Sequence, residues 1–210
     1  MKSLILFVVF SASLLADTCS VASLSMYETK SCSIDGITFS DFKFIDNNGL
    51  LSADSILVSP LTSGLQFDVG IVNSTDATIS YVETGSGFLS DTLAILGFGQ
   101  SGSGSLDVGE SICVNAVNLP NGVCPTQTLS LNVFDNFNGI KQSDTVILPN
   151  GTTTLGIVKD LGVTAPANLS LVDNTTPVSG VPEPKSGWVV GIGIAMLMIS
   201  SSRYRATRSR

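Results

Sequence analysis

Apolar residues alternate with polar residues along most of the middle of this 210-residue chain. From Leu65 to Ile71 every second residue is Leu, Phe, Val or Ile, and the same period of two recurs in 106–114 and 129–133. Successive side chains of a β-strand point to opposite faces, so this alternation is typical of half-buried strands. The segments predicted to be strands are 36–45, 54–59, 65–71, 77–83, 92–98, 106–114, 129–133, 143–148, 153–159 and 167–173.

These segments are short, are spaced regularly, and are separated by Gly, Asn, Ser and Pro. No segment between them has a convincing helical period. This organisation predicts an all-β domain, either an antiparallel β-sandwich or a jelly roll. The Gly- and Ser-rich segment 97–105 is predicted to be a flexible loop or the tip of a hairpin. Residues 173–180 are predicted to be a polar linker, which gives the domain the bounds 17–172.

The first sixteen residues have a different pattern, a short positively charged head followed by an apolar run over 4–15. A run of this length is too short to span a membrane and is typical of a secretory signal peptide. Small residues allow cleavage after Ala16 or after Ala22. Cleavage after Ala22 would remove Cys19 and leave three cysteines outside the cell. We therefore expect the Sec translocon to export the chain and signal peptidase to remove residues 1–16.

The cysteine content fits an oxidising compartment. Four cysteines can form two disulfides in three ways. Local pairing would close two short loops and is the pairing that we expect, which joins Cys19 to Cys32 and Cys113 to Cys124. A zinc site is the alternative, but the chain has neither a CxxC spacing nor a histidine.

Charge is distributed unevenly along the chain. Residues 17–180 carry sixteen Asp and Glu against four Lys and no Arg, a net charge of about −12. Such an acidic surface repels nucleic acid and anionic lipid, which argues against nucleic-acid binding. The lack of histidine removes Ser-His-Asp and Cys-His catalysis and the zinc and haem sites that depend on histidine. We expect no cofactor.

Carboxylates remain as candidates for chemistry. Glu110 falls on the apolar face of the strand 106–114, and a buried carboxyl group of this kind is a candidate general acid. The simpler interpretation is a strand kink, or a bond from Glu110 to a neighbouring backbone group or a lysine. The turns at 46–49 and 135–139 offer oxygen ligands for calcium, but neither has the EF-hand spacing, and Asp and Asn usually serve turn geometry. We expect neither a catalytic residue nor a bound metal.

The last thirty residues consist of three successive parts. The motif Val181-Pro182-Glu183-Pro184 is biased toward extended backbone by its prolines. Residues 186–202 form a predicted helix of about 25 Å, which is short for a hydrocarbon core of about 30 Å. By the positive-inside rule, the cations that follow stay in the cytoplasm and stop translocation. These cations are Arg203, Arg205, Arg208 and Arg210.

This tail, residues 181–210, resembles the PEP-CTERM sorting signal of exported proteins in Gram-negative bacteria. The resemblance implies that exosortase, an integral membrane enzyme, recognises Pro182, Glu183 and Pro184 and that the mature protein loses the helix. It also implies a link with exopolysaccharide and the biofilm matrix. The block from Cys32 to Phe42 is similar to an N-terminal block of the same family. An ordinary single-pass anchor behind a Pro-rich stalk is the alternative.

The sequence therefore predicts a non-enzymatic protein that is anchored transiently in the inner membrane, with its domain in the periplasm. Its final location would be the cell surface or the extracellular space. A carbohydrate-binding or adhesive module is the alternative function. Because Trp188 lies in the tail, such a module would rely on Tyr27, Tyr81 or the phenylalanines. A hydrolase would need two carboxylates about 5–10 Å apart in a cleft.

Overall fold

The alternating segments form strands in the structure, a computed structural model in which residues 17–72, 74–99, 103–125 and 128–179 are described. These residues also form one short helix, α1 (Leu24–Tyr27), and two single-turn 3-10 helices, Ala53–Ser55 and Pro120–Gly122. The strands are β1 (Asp17–Thr18), β2 (Ala22–Ser23), β3 (Cys32–Ile34), β4 (Ile37–Asp46), β5 (Leu57–Leu61), β6 (Gly64–Val72), β7 (Thr75–Thr84), β8 (Ser90–Leu96), β9 (Ser105–Val114), β10 (Thr128–Asn136), β11 (Gly139–Lys141), β12 (Ser143–Ile147), β13 (Thr154–Thr164) and β14 (Leu169–Thr175).

The strands form two sheets that pack face to face. The eight-stranded sheet has the order β1–β3–β4–β7–β13–β9–β10–β11, and the six-stranded sheet has the order β12–β8–β14–β6–β5–β2. β1 and β3 are parallel, whereas the long strands β4, β7, β13 and β9 pair in antiparallel fashion. From β6 to β9 the chain changes sheet at every step, so crossovers join the two layers. The predicted all-β sandwich is confirmed.

The apolar positions of the alternation lie between the sheets. Leu65, Phe67 and Val69 of β6 are buried, as the period of two predicts. Tyr81 of β7 lies among aromatic rings, with centroid distances of 5.2 Å to Phe42 and 5.6 Å to Phe67. Offset and tilted ring contacts of this kind add to the stabilisation from buried apolar area. The interior of the sandwich is therefore a packed core.

Both disulfides form in the expected pairing. Cys19 and Cys32 join β1 to β3 with their Cα atoms 4.8 Å apart, and Cys113 and Cys124 are joined with a Cα separation of 5.3 Å. Both separations lie in the usual range for a disulfide. The local pairing is confirmed.

The second disulfide closes a loop on the outer face of the eight-stranded sheet. Beneath this loop, residues 113–124, lies a small buried cluster separate from the main core, formed by Val82, Cys113, Ala116 and Leu119. Gly156 of β13 makes room for it, because a Cβ atom there would lie 2.5 Å from Leu119 Cδ2. The loop is thus a packed part of the domain.

The segment 97–105 is not the tip of a hairpin. It leads from β8 in the six-stranded sheet to β9 in the eight-stranded sheet, so the strands on either side of it do not pair. Gly104 lies close to the backbone of 166–167, where a Cβ atom would be 2.3 Å from the Ala167 nitrogen. The close approach of the two backbone segments requires glycine at position 104. Composition alone does not show whether a glycine serves close packing or flexibility.

The sandwich extends past the expected boundary at residue 172. β14 continues to Thr175, Asn174 and Thr176 are fully buried, and Val178 forms a bridge with Phe88. The prediction of a linker that begins at residue 173 is therefore wrong. The side chains of Asn174 and Thr176 face the interior, where they form hydrogen bonds with polar residues of β7 and β8.

Two predicted segments, the signal peptide 1–16 and the sorting tail 181–210, lie outside the described residues. Among the residues that the structure does describe, no helix has the length and apolar character needed to cross a membrane.

Candidate functional site: a buried cluster of ionisable groups

Four ionisable side chains are enclosed between the two sheets. Lys159 of β13, Glu110 of β9 and Glu83 of β7 point inward from the eight-stranded sheet, and Asp91 of β8 belongs to the six-stranded sheet. None of the four has more than 2% of its surface exposed. Charged residues are almost never buried to this extent unless they are paired. We call Glu83, Asp91, Glu110 and Lys159 the buried cluster.

The centre of the buried cluster is a lysine–carboxylate contact. Lys159 Nζ donates a hydrogen bond to Glu110 Oε2, and both side chains are completely buried. Lys159 and Glu110 are directly opposite each other in the β13–β9 ladder. The antiparallel register therefore brings the amine and the carboxyl group together.

Polar residues at the end of β14 and directly after it form hydrogen bonds with the other two carboxyl groups. Asn174 Nδ2 donates to Asp91 Oδ1, and Asn174 Oδ1 accepts a hydrogen bond from the Tyr81 hydroxyl. Thr176 Oγ1 donates to Glu83 Oε2 over 2.5 Å. Because these bonds run from 174–176 to β7 and β8, they connect both sheets through the core.

Burial sets the protonation of two carboxyl groups. Burial raises the pKa of Glu83 to about 8, against opposing effects of the Thr176 hydrogen bond and Lys159. Burial also raises the pKa of Asp91 well above its usual range, and the negative charges nearby raise it further. Glu83 therefore keeps its proton at neutral pH, and the environment of Asp91 favours its protonated form.

A proton on Asp91 also accounts for oxygen atoms that otherwise lack a donor. Asp91 Oδ2 and Glu110 Oε1 are buried without a hydrogen-bond partner. After burial, the charge of Glu110 is the largest cause of the raised pKa of Asp91. A protonated Asp91 can donate a hydrogen bond to a carboxylate oxygen, whereas an ionised Asp91 cannot. A proton on Asp91 therefore supplies the donor that a neighbouring carboxylate oxygen lacks.

The structure confirms part of the sequence interpretation and adds to it. Glu110 is buried, as its strand face predicted, and its partner is a lysine, which was the simpler of the two readings. Sequence reasoning did not identify Lys159, Glu83 or Asp91 as part of this site. The signal for Lys159 was present, because it lies on the apolar face of β13 between Ile157 and Leu161.

The buried cluster cannot act on an external polymer. Its carboxyl groups are sealed between the sheets, with exposed fractions of 0–2%. A shallow surface pocket beside the first disulfide contains Asp17, Tyr27 and Lys30, with one carboxylate among its lining residues. Neither place offers the pair of open carboxylates that glycoside hydrolysis needs. What the cluster can do is hold protons and keep an amine against a carboxyl group.

The two turns considered for calcium use their oxygen atoms within the protein. Asp46 accepts hydrogen bonds from the backbone N–H groups of Asn48 and Leu51, and the bond from Leu51 is the largest cause of its lowered pKa. Asn136 Oδ1 accepts from the Asn138 N–H over 2.8 Å. In the described ranges of the chain, no group of three acidic or cysteine side chains is arranged to hold a metal ion.

Carboxylates line the outer face of the eight-stranded sheet. Asp76 and Asp107 are exposed, and each is the cross-strand neighbour of Gly162 on opposite sides of β13. Asp160 is exposed two residues earlier on β13. Partial desolvation against the sheet raises the pKa of Asp160 although its side chain reaches solvent, and the charges of Asp76 and Asp107 raise this pKa further. Asn132 Nδ2 donates to Asp107 Oδ1 over 2.9 Å. We call Asp76, Asp107 and Asp160 the acidic strip.

The tyrosines considered for sugar binding are not at the surface. Tyr27 and Tyr81 are buried, with exposed fractions of 5% and 0%. Phe137, in the turn between β10 and β11, is 85% exposed. Tyr81 and Tyr27 therefore offer no exposed ring face, although Tyr27 lines the surface pocket, and Phe137 is an exposed aromatic side chain among the described residues.

The residues predicted to direct sorting, Pro182, Glu183 and Pro184, and the arginines of the cytoplasmic stop lie outside the described residues.

Comparisons with known proteins give little further information. No protein-family model matches the chain, and no curated protein matches it. One solved structure that superposes in part is that of TmCBM61 in complex with β-1,4-galactotriose, with a TM-score of 0.37 and 8% sequence identity. The match covers 67% of this chain and 90% of the other. A similarity at this level carries no conclusion about fold or ligand.

Proposed function

We propose that this chain is a non-enzymatic bacterial protein of the cell surface or extracellular matrix, delivered by export and sorted through its C-terminal tail. The observation that carries the proposal is a sandwich that contains two disulfides. Disulfides persist in oxidising compartments such as the periplasm and the cell exterior. All four cysteines of this chain are paired in disulfides, as expected for a protein that functions outside the cytoplasm.

Export accounts for the two ends of the chain. The signal peptide 1–16 directs the chain to the Sec translocon, and signal peptidase removes it. The helix 186–202 then holds the domain at the inner membrane while exosortase recognises the motif 182–184. Removal of the helix releases the domain to the surface or the matrix, where exopolysaccharide is the expected neighbour.

The tail hypothesis is tested on the exported protein. Mass spectrometry of the extracellular form should show a C-terminus within or close to 181–185 and no peptide that contains Arg210. A Glu183→Ala variant should stay in the inner-membrane fraction with Arg210 intact. The control is Glu28→Ala in the domain, which should be processed normally. Recovery of extracellular protein that still ends at Arg210 would exclude processing.

A second candidate function is binding to a neutral or cationic polysaccharide. The observation that favours it is the acidic strip, an exposed row of carboxylates on the eight-stranded sheet, with an amide beside Asp107 and no side chain at Gly162. Carboxylates and amides of this kind can bind sugar hydroxyl groups. Gly162 leaves room for a chain to lie across β13.

Affinity electrophoresis of the purified protein with the exopolysaccharide of its own host tests the second candidate. Asp107→Ala and Asp160→Ala should each restore the mobility that the polysaccharide reduces. Asp54→Ala, on the 3-10 helix outside the strip, is the matched control. Equal retardation of all three variants would rule out the acidic strip, and loss of retardation in Phe137→Ala would move the site to the β10–β11 turn.

A further inference from the structure

The buried cluster places an amine, a carboxyl group and a neighbouring carboxylic acid together without access for bulk water. Lys159 Nζ contacts Glu110, the charge of Glu110 raises the pKa of Asp91, and the three side chains have exposed fractions of 0–2%. One oxygen of Asp91 and one of Glu110 are buried without a hydrogen-bond partner. An ion pair alone does not require the acid at that position.

We propose that Lys159 and Glu110 form an intramolecular amide bond, catalysed by Asp91, that joins β13 to β9. The product is an isopeptide bond between Lys159 Nζ and Glu110 Cδ, with one water molecule released. The proposal concerns a covalent modification of the domain and does not depend on how the tail is processed.

The register of the strands provides the geometry for this bond. Lys159 and Glu110 are cross-strand partners in an antiparallel pair, where Cα atoms lie about 4.5–5.5 Å apart. Both side chains point to the same face, between the sheets, so neither needs to cross the backbone. Holding two reacting groups in this way gives effective concentrations of about 10⁵–10⁸ M.

The reaction balances without an external reagent. A proton first passes from the Lys159 ammonium to the Glu110 carboxylate, which replaces an ion pair by two neutral groups in a medium of low polarity. The Nζ lone pair then attacks Glu110 Cδ. Asp91 donates its proton to the departing hydroxyl group, which leaves as water, and the resulting carboxylate takes a proton from Nζ. Asp91 is thereby regenerated, and the amide retains one N–H.

Asp91 and Glu83 differ in their position relative to the pair, although burial raises the pKa of both. Glu83 is the cross-strand partner of Leu155, four residues along β13 from Lys159, and its Oε2 accepts from Thr176. Asp91 belongs to the opposite sheet, where Asn174 bonds its Oδ1, and its Oδ2 is buried without a partner, as is Glu110 Oε1. This arrangement assigns the proton relay to Asp91.

Peptide mapping of the full-length protein, produced with its own signal and purified from the cell envelope or the medium, tests the proposal. After reduction and denaturation, trypsin should fail to cleave after Lys159. A branched peptide should join residues 44–141, which contain Glu110, to the peptide that starts at residue 142. Its mass should be one water less than the sum of its two parts. Recovery of separate, unmodified peptides from the wild-type protein would overturn the proposal.

Variants separate the chemistry from folding. Lys159→Arg keeps the cation but cannot form the amide, so trypsin should now cleave after residue 159 and the full mass should return. Asp91→Asn keeps the shape of the relay residue but removes its acid, and the cross-link should fall to less than about a tenth of its wild-type yield, because acid–base catalysis commonly contributes about 10²–10⁴-fold.

Matched surface substitutions control for these variants. Lys43→Arg and Asp41→Asn change an exposed pair of the same residue types and should leave the cross-link at its wild-type yield. Circular dichroism should show the same strand content for all five proteins. A folded Asp91→Asn protein with a full yield of cross-link would overturn the role of Asp91.

Discussion

Lys159 is a single residue on which the interior of the sandwich depends. It is fully buried and its Nζ binds Glu110. Replacement of one member of a buried ion pair leaves the other charged without compensation, at a cost of about 3–5 kcal/mol. Replacement of both by apolar residues of similar volume is often neutral. The pair therefore contributes more to the arrangement of the core than to its net stability.

In an Asp91→Asn background, in which the proposed amide should not form, we expect Lys159→Met to lower the free energy of unfolding by about 3–5 kcal/mol, because Glu110 loses its partner. Guanidinium unfolding, followed by far-ultraviolet circular dichroism, measures this change. The double variant Lys159→Met, Glu110→Leu should recover most of the loss. Lys43→Met, which removes an exposed pair with Asp41 and a hydrogen bond to the Leu119 carbonyl, should cost only about 1–2 kcal/mol. Equal costs for Lys159→Met and Lys43→Met would contradict the prediction.

Glu83 should make the stability of the domain depend on pH. Its pKa is raised from 4.5 to about 8 by burial, so the folded state keeps a proton that the unfolded state has lost between these values. The contribution is fully present below pH 4.5 and is lost as pH rises to about 8, so the unfolding free energy should fall over this window. Glu83→Gln cannot titrate and should flatten the curve. Urea unfolding at several pH values tests this, and an identical slope in the variant would refute it.

At the scale of elements, the loop 113–124 is expected to be held by its disulfide as well as by packing. The bond closes the chain over Leu119, which is completely buried against Gly156. A disulfide that closes a loop of this size contributes about 3 kcal/mol, by limiting the unfolded chain. Beyond the end of β9, residues 115–124 belong to no strand, and Asn115 N–H donates to the Thr154 carbonyl over 2.8 Å.

Replacement of Cys113 and Cys124 by Ser should therefore loosen the loop before the sandwich. Hydrogen–deuterium exchange should become faster for 115–123, while β9 and β13 remain protected. The matched control replaces Cys19 and Cys32, which lie at the other disulfide, and should leave exchange in the loop unchanged. Uniformly faster exchange across the eight-stranded sheet would show that the disulfide supports the sandwich itself.

The alternation of apolar residues was sufficient to predict the fold class, because a strand buried on one face repeats every two residues. It could not predict which strands pair, since pairing joins segments as distant as β4 and β7 or β6 and β14.

Because strand pairing could not be predicted, the buried cluster could not be predicted either. Glu110 was noticed on its own strand, but its partner lies 49 residues later, and only the register of β13 brings the two together. The polar composition of residues 173–176 predicts exposure, but Asn174 and Thr176 are buried against polar partners on other strands.

At the scale of the whole molecule, the domain and the terminal segments of the chain carry net charges of opposite sign. The domain is acidic, and six of the ten cationic residues lie in the terminal segments. Cations near a short apolar helix are retained on the cytoplasmic side. Acidic domains have no corresponding attraction for an anionic bilayer, so a processed domain would have little reason to stay at the membrane. Under the proposed processing, removal of residues 186–202 should therefore be sufficient for release.

The structure also gives a reason to expect cleavage of the leader after Ala16. Cys19 is bonded to Cys32, and Asp17–Thr18 form β1, which pairs with β3 at the edge of the eight-stranded sheet. Cleavage after Ala22 would remove β1 and leave Cys32 without its partner. N-terminal sequencing of the exported protein should therefore begin at Asp17, and thiol titration in denaturant should detect no free cysteine. A protein that begins at Ser23 and carries one titratable thiol would contradict this prediction, and it would also leave the edge of β3 uncovered.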